Sequence, residues 1–274
     1  MVREFDVSSG DLAQLDEAMQ SLRNSEDVLV LRRGAVALNR DQWFEALQQR
    51  FGLIPDRRHF SAGGAKLDDP AERPEIVLSD WWEIAYKPEL AHAYTYSKTR
   101  QPLHTDNSWF ADPAEINFFI MEKQAPRGGE QLIYPVSRLM HDLAAEEPGL
   151  LTDLTSVKVT IKKGEHDYFN RTTIIALENG PRIYWNFYRT EKPAPEIQRM
   201  CEALFAYCER KEASPSVERV RLDTGDCLTF NDLKLLHGRT AFEASQPRER
   251  VFLQSMWKLP RQGMAAPDRT LISG

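Results

Sequence analysis

The sequence predicts a mainly β, α+β fold: a β-sandwich or jelly-roll barrel with helices packed outside it. Three observations predict it. Short apolar or alternating runs such as "INFFIMEK", "TSVKVTIKK" and "RVFLQSMW" recur from Ile116 onward. Turn signals separate them, including "APRGGEQ", "ENGP" and the "TGD" before Cys227. Helical patterns are few and stand between or before these runs, as expected when helices pack on the outside of a β core.

Taken in order, "SSGDLAQLDEAMQSLRN" reads as a helix capped by Ser9 or Asp11, with Leu12, Leu15, Met19 and Leu22 at helical spacing. "DVLVLRRG" reads as a strand, and "NRDQWFEALQQRFG" as a helix stopped by Gly52. Residues 55–102 carry Gly63-Gly64, Pro70, Pro74, Pro88, Pro102 and several aromatics. A stretch this long and this punctuated reads as a lid or active-site loop region. "INFFIMEK" and the run after "APRGGE" read as strands. "SRLMHDLAAEEPG" reads as a helix capped by Ser137 and stopped at Pro148-Gly149. "TSVKVTIKK" alternates with period two. "RTTIIALENGPRIYWNFY" reads as a hairpin about Asn179-Gly180, a pair that tolerates positive φ. In "YWNFYRT", residues 184–190, alternate side chains are expected to enter a cavity. "APEIQRMCEALFAYCERKE" reads as a helix, "VERVRLDTGDCLTFND" as two strands about Gly225, and "RVFLQSMW" as the closing strand. There is no internal repeat, and residues 1–274 read as a single domain.

Composition narrows the function. A hydrophobic content of 42% and a charged content of 28% are ordinary for a soluble protein. A net charge of −6 with scattered Lys and Arg argues against nucleic acid as a partner. No apolar run approaches the ~20 residues needed to span a bilayer, and "MVREFDVSSG" has no apolar leader segment. Cys201, Cys208 and Cys227 form no disulfide framework or metal pair, which suits a reducing compartment. The expected setting is the cytoplasm and the expected partner a small molecule. The oligomeric state is not legible, and a homo-oligomer is compatible with the sequence.

The stretch "QPLHTDNSWF" places His104 and Asp106 two residues apart. Alone this means little: with 6 His and 41 Asp or Glu in 274 residues, composition supplies roughly one His-x-acid triplet by chance. On a strand edge, however, residues i and i+2 face the same side. A third ligand is then available from His237 in "NDLKLLHGRTAF". Two histidines and a carboxylate leave three metal positions open and suit Fe(II), whereas a closed zinc site would take four ligands. The open positions can accept a bidentate cosubstrate and O₂. A dicarboxylate cosubstrate needs a cation for its far end, and Arg248 and Arg250 stand eleven and thirteen residues past His237. Arg250 opens an apolar strand and is expected to point into the barrel, with Arg248 at the turn.

"HTDNSW", "APRGGEQ" and "LHGRTAF" followed by an Arg-led strand resemble the TauD/TfdA family of Fe(II)/2-oxoglutarate dioxygenases, with a distal motif similar to the γ-butyrobetaine-hydroxylase-like group. The resemblance covers residues 103–257 and rests on the order and spacing of the motifs. It implies a double-stranded β-helix, iron bound by His104, Asp106 and His237, and a 2-oxoglutarate carboxylate bound by Arg250 or, at the other family spacing, Arg248. The family often has Thr after its Gly-Gly-acidic turn; here Gln131 stands there, and its amide can donate in place of the hydroxyl. Related halogenases replace the carboxylate ligand with Ala or Gly, so Asp106 implies hydroxylation or desaturation rather than halogenation. The implied activity is oxidation of a small polar substrate with release of succinate and CO₂. Desaturation or rearrangement of an amino-acid-derived intermediate, and a non-catalytic metal-binding barrel, are the alternatives.

Three further polar residues are candidate substrate contacts: Arg189, Arg239 and Asn107. Arg239 could instead pair with Glu243 at the surface. Asn107 could hold the Asp106 carboxylate or merely occupy a turn. His141 and His166 are expected to be exposed, and His59 and His92 to fall in the lid region.

Overall fold

The computed structural model describes residues 1–60, 76–163 and 168–260. His166 and the Gly63-Gly64, Pro70 and Pro74 positions lie outside them. Two sheets carry the fold. The larger has seven strands: Val2–Asp6, Val28–Arg32, Cys227–Asn231, Ile116–Lys123 and Val251–Lys258 run side by side, and the last also pairs with Ile54–Asp56 and Trp82–Ala85. The smaller orders Glu218–Val220, Gln131–Pro135, Leu235–Arg239 and Gln101–His104.

The two sheets close on each other through their inward residues. Val28, Val30, Phe119, Met121, Leu228, Phe230 and Phe252 of the larger sheet pack with Ile133, Val220 and Leu235 of the smaller in one buried cluster. Phe119 stacks on Phe252 with centroids 4.6 Å apart. On the outer face of the larger sheet a second cluster gathers Leu15, Met19 and Leu22 with Trp43, Phe118 and Trp257. The helix Arg40–Glu45 begins at a capping box in which Asn39 accepts from the Gln42 amide and Gln42 reaches back to the Asn39 amide. Beyond the smaller sheet, a third cluster buries one face of Pro195–Lys211, including Cys201 and Cys208, as free thiols. Burial pushes the Cys201 thiol up to about 11, consistent with a packing role.

Several features depart from the sequence reading. Val2–Asp6 is a strand, parallel to Val28–Arg32. Its two outermost apolar residues are spaced by charged ones, so its pattern is weak. Pro148-Gly149 does not end a helix; Pro148 opens a second one, Pro148–Ser156, at the first-turn position where the missing N–H costs nothing. Ser137 lies inside the Val136–Glu146 helix, and its hydroxyl bonds Glu26 rather than capping. The hairpin about Asn179-Gly180 forms, but its strands are only Ile175–Ala176 and Arg182–Ile183. Residues 184–190 leave the strand and turn, so the alternation expected there is absent.

The described residues within 55–102 do not form one loop. They contribute the short strands Arg58–Phe60 and Ile76–Leu78, the Trp82–Ala85 strand of the larger sheet, and the single turns Pro88–Leu90 and Tyr94–Tyr96. Trp82, Ile84, Thr95 and Gln101 from this region line the cavity between the sheets.

Candidate active site

The strand register explains why the two histidines meet. His237 pairs directly with His104 across neighbouring antiparallel strands of the smaller sheet. Their ring centroids are 4.4 Å apart. Gly238 permits this approach, because a Cβ there would lie 2.8 Å from the Gln101 carbonyl. This is the physical content of the glycine in "LHGR". Asp106 follows two residues after His104 and turns back toward both rings. Its Oδ1 lies 3.4 Å from His104 Nε2 and its Oδ2 3.5 Å from His237 Nε2. One donor atom from each residue falls within 4.8 Å of the others.

The donors are prepared for a cation. His104 Nδ1 sits 2.9 Å from the Pro102 carbonyl, so it carries the proton and leaves the Nε2 lone pair facing the triad. His237 Nδ1 lies 2.9 Å from Asp232 Oδ1, although the ring N–H is not aimed straight at the oxygen. The other Asp232 oxygen accepts from the Asp106 backbone amide at 2.7 Å. Asp106 Oδ2 accepts from Gln254 at 2.7 Å and from Asn117 at 3.1 Å. Burial alone would raise the Asp106 carboxyl, but His237, His104 and Gln254 outweigh it and hold the group below the usual carboxylate range. Burial opposes charge on His237, yet Asp106 and Asp232 raise it overall. Two imidazoles and one ionised carboxylate, converging without a further His, Cys, Asp or Glu among the described residues, can hold an octahedral divalent metal with three positions left over; the Gln101 amide lies 3.1 Å from His104 Nε2.

The cavity beside the triad continues toward Gln131, Arg239 and Arg250. Arg250 precedes the Val251–Lys258 strand and is 1% exposed. Its Nη2 donates to the Gly129 carbonyl at 3.3 Å. Gly129 has a φ of +74°, and a Cβ on it would lie 2.9 Å from Arg250 Nε. The "RGGE" turn therefore makes room for this guanidinium and delivers Gln131 to the same cavity. Burial, then the neighbouring Arg239 and Arg221, depress the Arg250 pKa. Arg248 is elsewhere: at the turn, with a φ of +60°, its exposed guanidinium paired with Glu83.

The candidate substrate residues separate. Arg239 is 3% exposed and lines the cavity. It does not meet Glu243, which pairs with Arg127 at 3.6 Å. Burial brings its pKa down to about 10. Arg189 is half-buried in the turn after the hairpin, where its carbonyl accepts from the Lys162 amide, and is not among the residues lining the cavity. Asn107 takes a left-handed turn position, φ +52°, and its amide contacts Met256 Sδ at 2.9 Å rather than Asp106. The amides that hold Asp106 are Asn117 and Gln254, which the sequence reading missed together with Asp232. His141 is exposed; His59 is buried and stacks on Trp82, centroids 5.3 Å apart.

A two-sheet β core with a His-Asp-His cluster that could hold a metal ion, and a buried arginine beside it, is that of the double-stranded β-helix class. The family model described as "Taurine catabolism dioxygenase TauD, TfdA family" matches residues 2–257. The chain belongs to the TauD/TfdA family. The gamma-butyrobetaine dioxygenases of Homo sapiens and Pongo abelii are each 24% identical over 175 residues, 60% of this chain and 45% of theirs. The match thus spans less than half the length of these relatives. Among solved structures, an asparagine oxygenase in complex with Fe(II), 2S,3S-3-hydroxyasparagine and succinate superposes with a TM-score of 0.63 at 15% identity, covering 90% of this chain and 79% of that one. A putative alpha-ketoglutarate-dependent taurine dioxygenase from Burkholderia xenovorans gives 0.63 at 14% identity, with 94% and 86% covered. PvcB from Pseudomonas aeruginosa gives 0.59 at 16%, with 94% and 84% covered. At these identities the likeness is one of fold. Among the described residues no helix is long and apolar enough to cross a membrane.

Proposed function

We propose that the chain is an Fe(II)- and 2-oxoglutarate-dependent dioxygenase that hydroxylates a small polar, carboxylate-bearing substrate and releases succinate and CO₂. The observation that carries this reading is the convergence of His104, Asp106 and His237, with Asp106, His237 and the buried Arg250 lining one cavity. His104, Asp106 and His237 would hold the iron. Arg250 would take the far carboxylate of 2-oxoglutarate, helped by the Gln131 amide. With both bound, O₂ can be used to convert the cosubstrate to succinate and CO₂ and to oxidise a substrate C–H bond.

The protein's part is orientation. Asp232, Asn117 and Gln254 fix the Asp106 and His237 side chains before any ligand arrives, so little reorganisation is needed on binding. Phe119, Phe252, Trp82 and Ile84 give the cavity apolar walls that limit water beside the polar groups. Asp106 favours hydroxylation over halogenation, because its carboxylate would take the place at the metal that a halide would need.

An amino-acid-like substrate is supported by the solved relatives. Two structures of this fold hold hydroxylated amino acids: the asparagine oxygenase, with 2S,3S-3-hydroxyasparagine, and the non-heme iron oxygenase OrfP, with (3R,4R)-dihydroxy-L-Arg. We read residues 1–274 as one domain, with parts of residues 55–102 covering the cavity, acting in the cytoplasm on a small molecule. The test is succinate formation. Protein purified without air, supplied with Fe(II), ascorbate, 2-oxoglutarate and a panel of amino acids, forms succinate, and zinc does not replace iron. Activity that requires zinc and forms no succinate would overturn the reading.

A further inference from the structure

Two guanidinium groups lie buried in the same cavity with no acid paired to them among the described residues. Arg239 and Arg250 are 3% and 1% exposed. Both lie against one ring: Arg239 Cζ is 4.9 Å and Arg250 Cζ 5.3 Å from the Phe242 centroid. The Nε of each has no hydrogen-bond partner among the described residues. The acids nearest in sequence are engaged elsewhere. Glu130 accepts from the Thr240 hydroxyl, Glu243 pairs with Arg127, and Glu249 is bound to Ser245 and Gln246. Buried cations are ordinarily paired, and two beside one another repel as well. An arrangement of this kind fits a ligand that brings a full negative charge to a point reached by both.

The strand register places that point. Arg239 stands directly opposite Gln131 across the Leu235–Arg239 and Gln131–Pro135 strands, so the guanidinium and the amide share a face. Arg250 enters from the larger sheet beside them. Donors from two neighbouring strands, and Arg250 from the head of a third, thus line the cavity that Asp106 and His237 also line. A carboxylate has lone pairs enough for both guanidinium forks. The neutral amide of Gln131 lines the same cavity and offers a further donor to an anion there.

We propose that Arg239 is a second anchor for the distal carboxylate of 2-oxoglutarate, held jointly with Arg250; the inference rests on the cosubstrate reading above. Arg239 also has a structural task. Its Nη2 donates to the Ser97 and Thr99 carbonyls at 2.8 and 2.9 Å and reaches the Tyr94 carbonyl at 3.4 Å. The one side chain therefore ties the 94–99 segment, which contributes Thr95 to the cavity, and leaves its remaining N–H groups for the ligand. Because His237 lies two residues earlier on the same strand, one short element carries both a metal ligand and an anion anchor.

A ligand comparison separates the anchor from the tie. Wild type, Arg239→Met and Arg239→Lys are loaded with Mn(II) without air, and binding of 2-oxoglutarate and of 2-oxopentanoate is measured by calorimetry. The second ligand keeps the keto acid and lacks the distal carboxylate. Arg239→Met is expected to weaken 2-oxoglutarate by ~10- to 100-fold, the loss of a charge-assisted contact, and to leave 2-oxopentanoate within about twofold. Arg239→Lys is expected to recover part of the loss, and it keeps the comparison available if the Met variant does not fold. Equal weakening of both ligands, or unchanged 2-oxoglutarate binding, overturns the inference while leaving the cosubstrate reading in place. If wild type binds neither ligand, the cosubstrate reading falls and takes the inference with it.

Discussion

Asp232 and His237 lie 2.9 Å apart, carboxylate oxygen to ring nitrogen, on either side of the turn that opens the Leu235–Arg239 strand. The same carboxylate accepts from the Asp106 amide, so one buried side chain steadies two members of the triad. Partners of this kind typically contribute ten- to a hundredfold in metal affinity. Asp232→Ala is expected to lower Co(II) affinity by ~10- to 100-fold, and Asp232→Asn, which keeps an acceptor for the Asp106 amide, by less. Spectroscopic Co(II) titration checks this. Equal affinity in wild type and both variants would show that Asp232 merely fills space.

His237→Ala and Asp106→Ala are expected to abolish iron-dependent turnover while the protein still unfolds cooperatively near the wild-type temperature. The cluster joining the sheets is built from Phe119, Phe230, Phe252 and their neighbours, and neither ligand belongs to it. Thermal unfolding alongside a succinate assay tests both halves. Collapse of the fold in either variant would place the triad in the stability of the barrel instead.

Arg250 and Arg248 give opposite expectations despite their spacing. Arg250→Ala is expected to raise the 2-oxoglutarate requirement by ~10- to 100-fold. Arg248→Ala removes an exposed pair with Glu83 and is expected to change that requirement by less than about twofold, since such pairs contribute little. Gly129→Ala should resemble Arg250→Ala, because its Cβ would lie 2.9 Å from Arg250 Nε at a positive φ. The concentration of 2-oxoglutarate at half-maximal rate reads all three; a larger effect from Arg248→Ala would exchange the roles.

His59 provides a pH signature outside the triad. Burial lowers its pKa below 6.5, only partly offset by the Ser79 carbonyl and nearby carboxylates. The unfolded chain therefore takes up this proton first as pH falls. The His59 contribution to stability is present above pH 6.5 and is lost as pH falls from there toward the folded value. Denaturant unfolding of wild type is expected to weaken more steeply below that pH than unfolding of His59→Gln. Parallel curves would contradict it.

What could be read in the sequence was what local geometry encodes. The two-residue spacing of His104 and Asp106 brought them to one site, although Asp106 lies in the turn after the Gln101–His104 strand and not on its face; the glycines of "RGGE" and "LHGR" mark turns and close approaches. Asn117, Gln254 and Asp232 were not legible. Gln254 and Asp232 meet Asp106 across 148 and 126 residues, and Asn117 across 11 but from a different sheet; no periodicity reports such contacts. Asn107 was attractive because it adjoins Asp106, but a left-handed turn carries its side chain away. Pro148 was misleading for a related reason: the residue that ends one helix also suits the first turn of the next. The aromatic run at residues 184–190 has strand composition, but among the described residues its one bridge is Thr190 to Ile161, and the hairpin strand ends at Ile183.

The central claim is that the triad uses O₂ to turn over 2-oxoglutarate. Oxygen uptake and succinate release, followed in one vessel with Fe(II), 2-oxoglutarate and an amino-acid panel, test it most directly. The account predicts uptake and succinate in step for wild type and neither for Asp106→Ala. Metal-loaded wild type that consumes no oxygen, or Asp106→Ala that forms succinate at the wild-type rate, would contradict it.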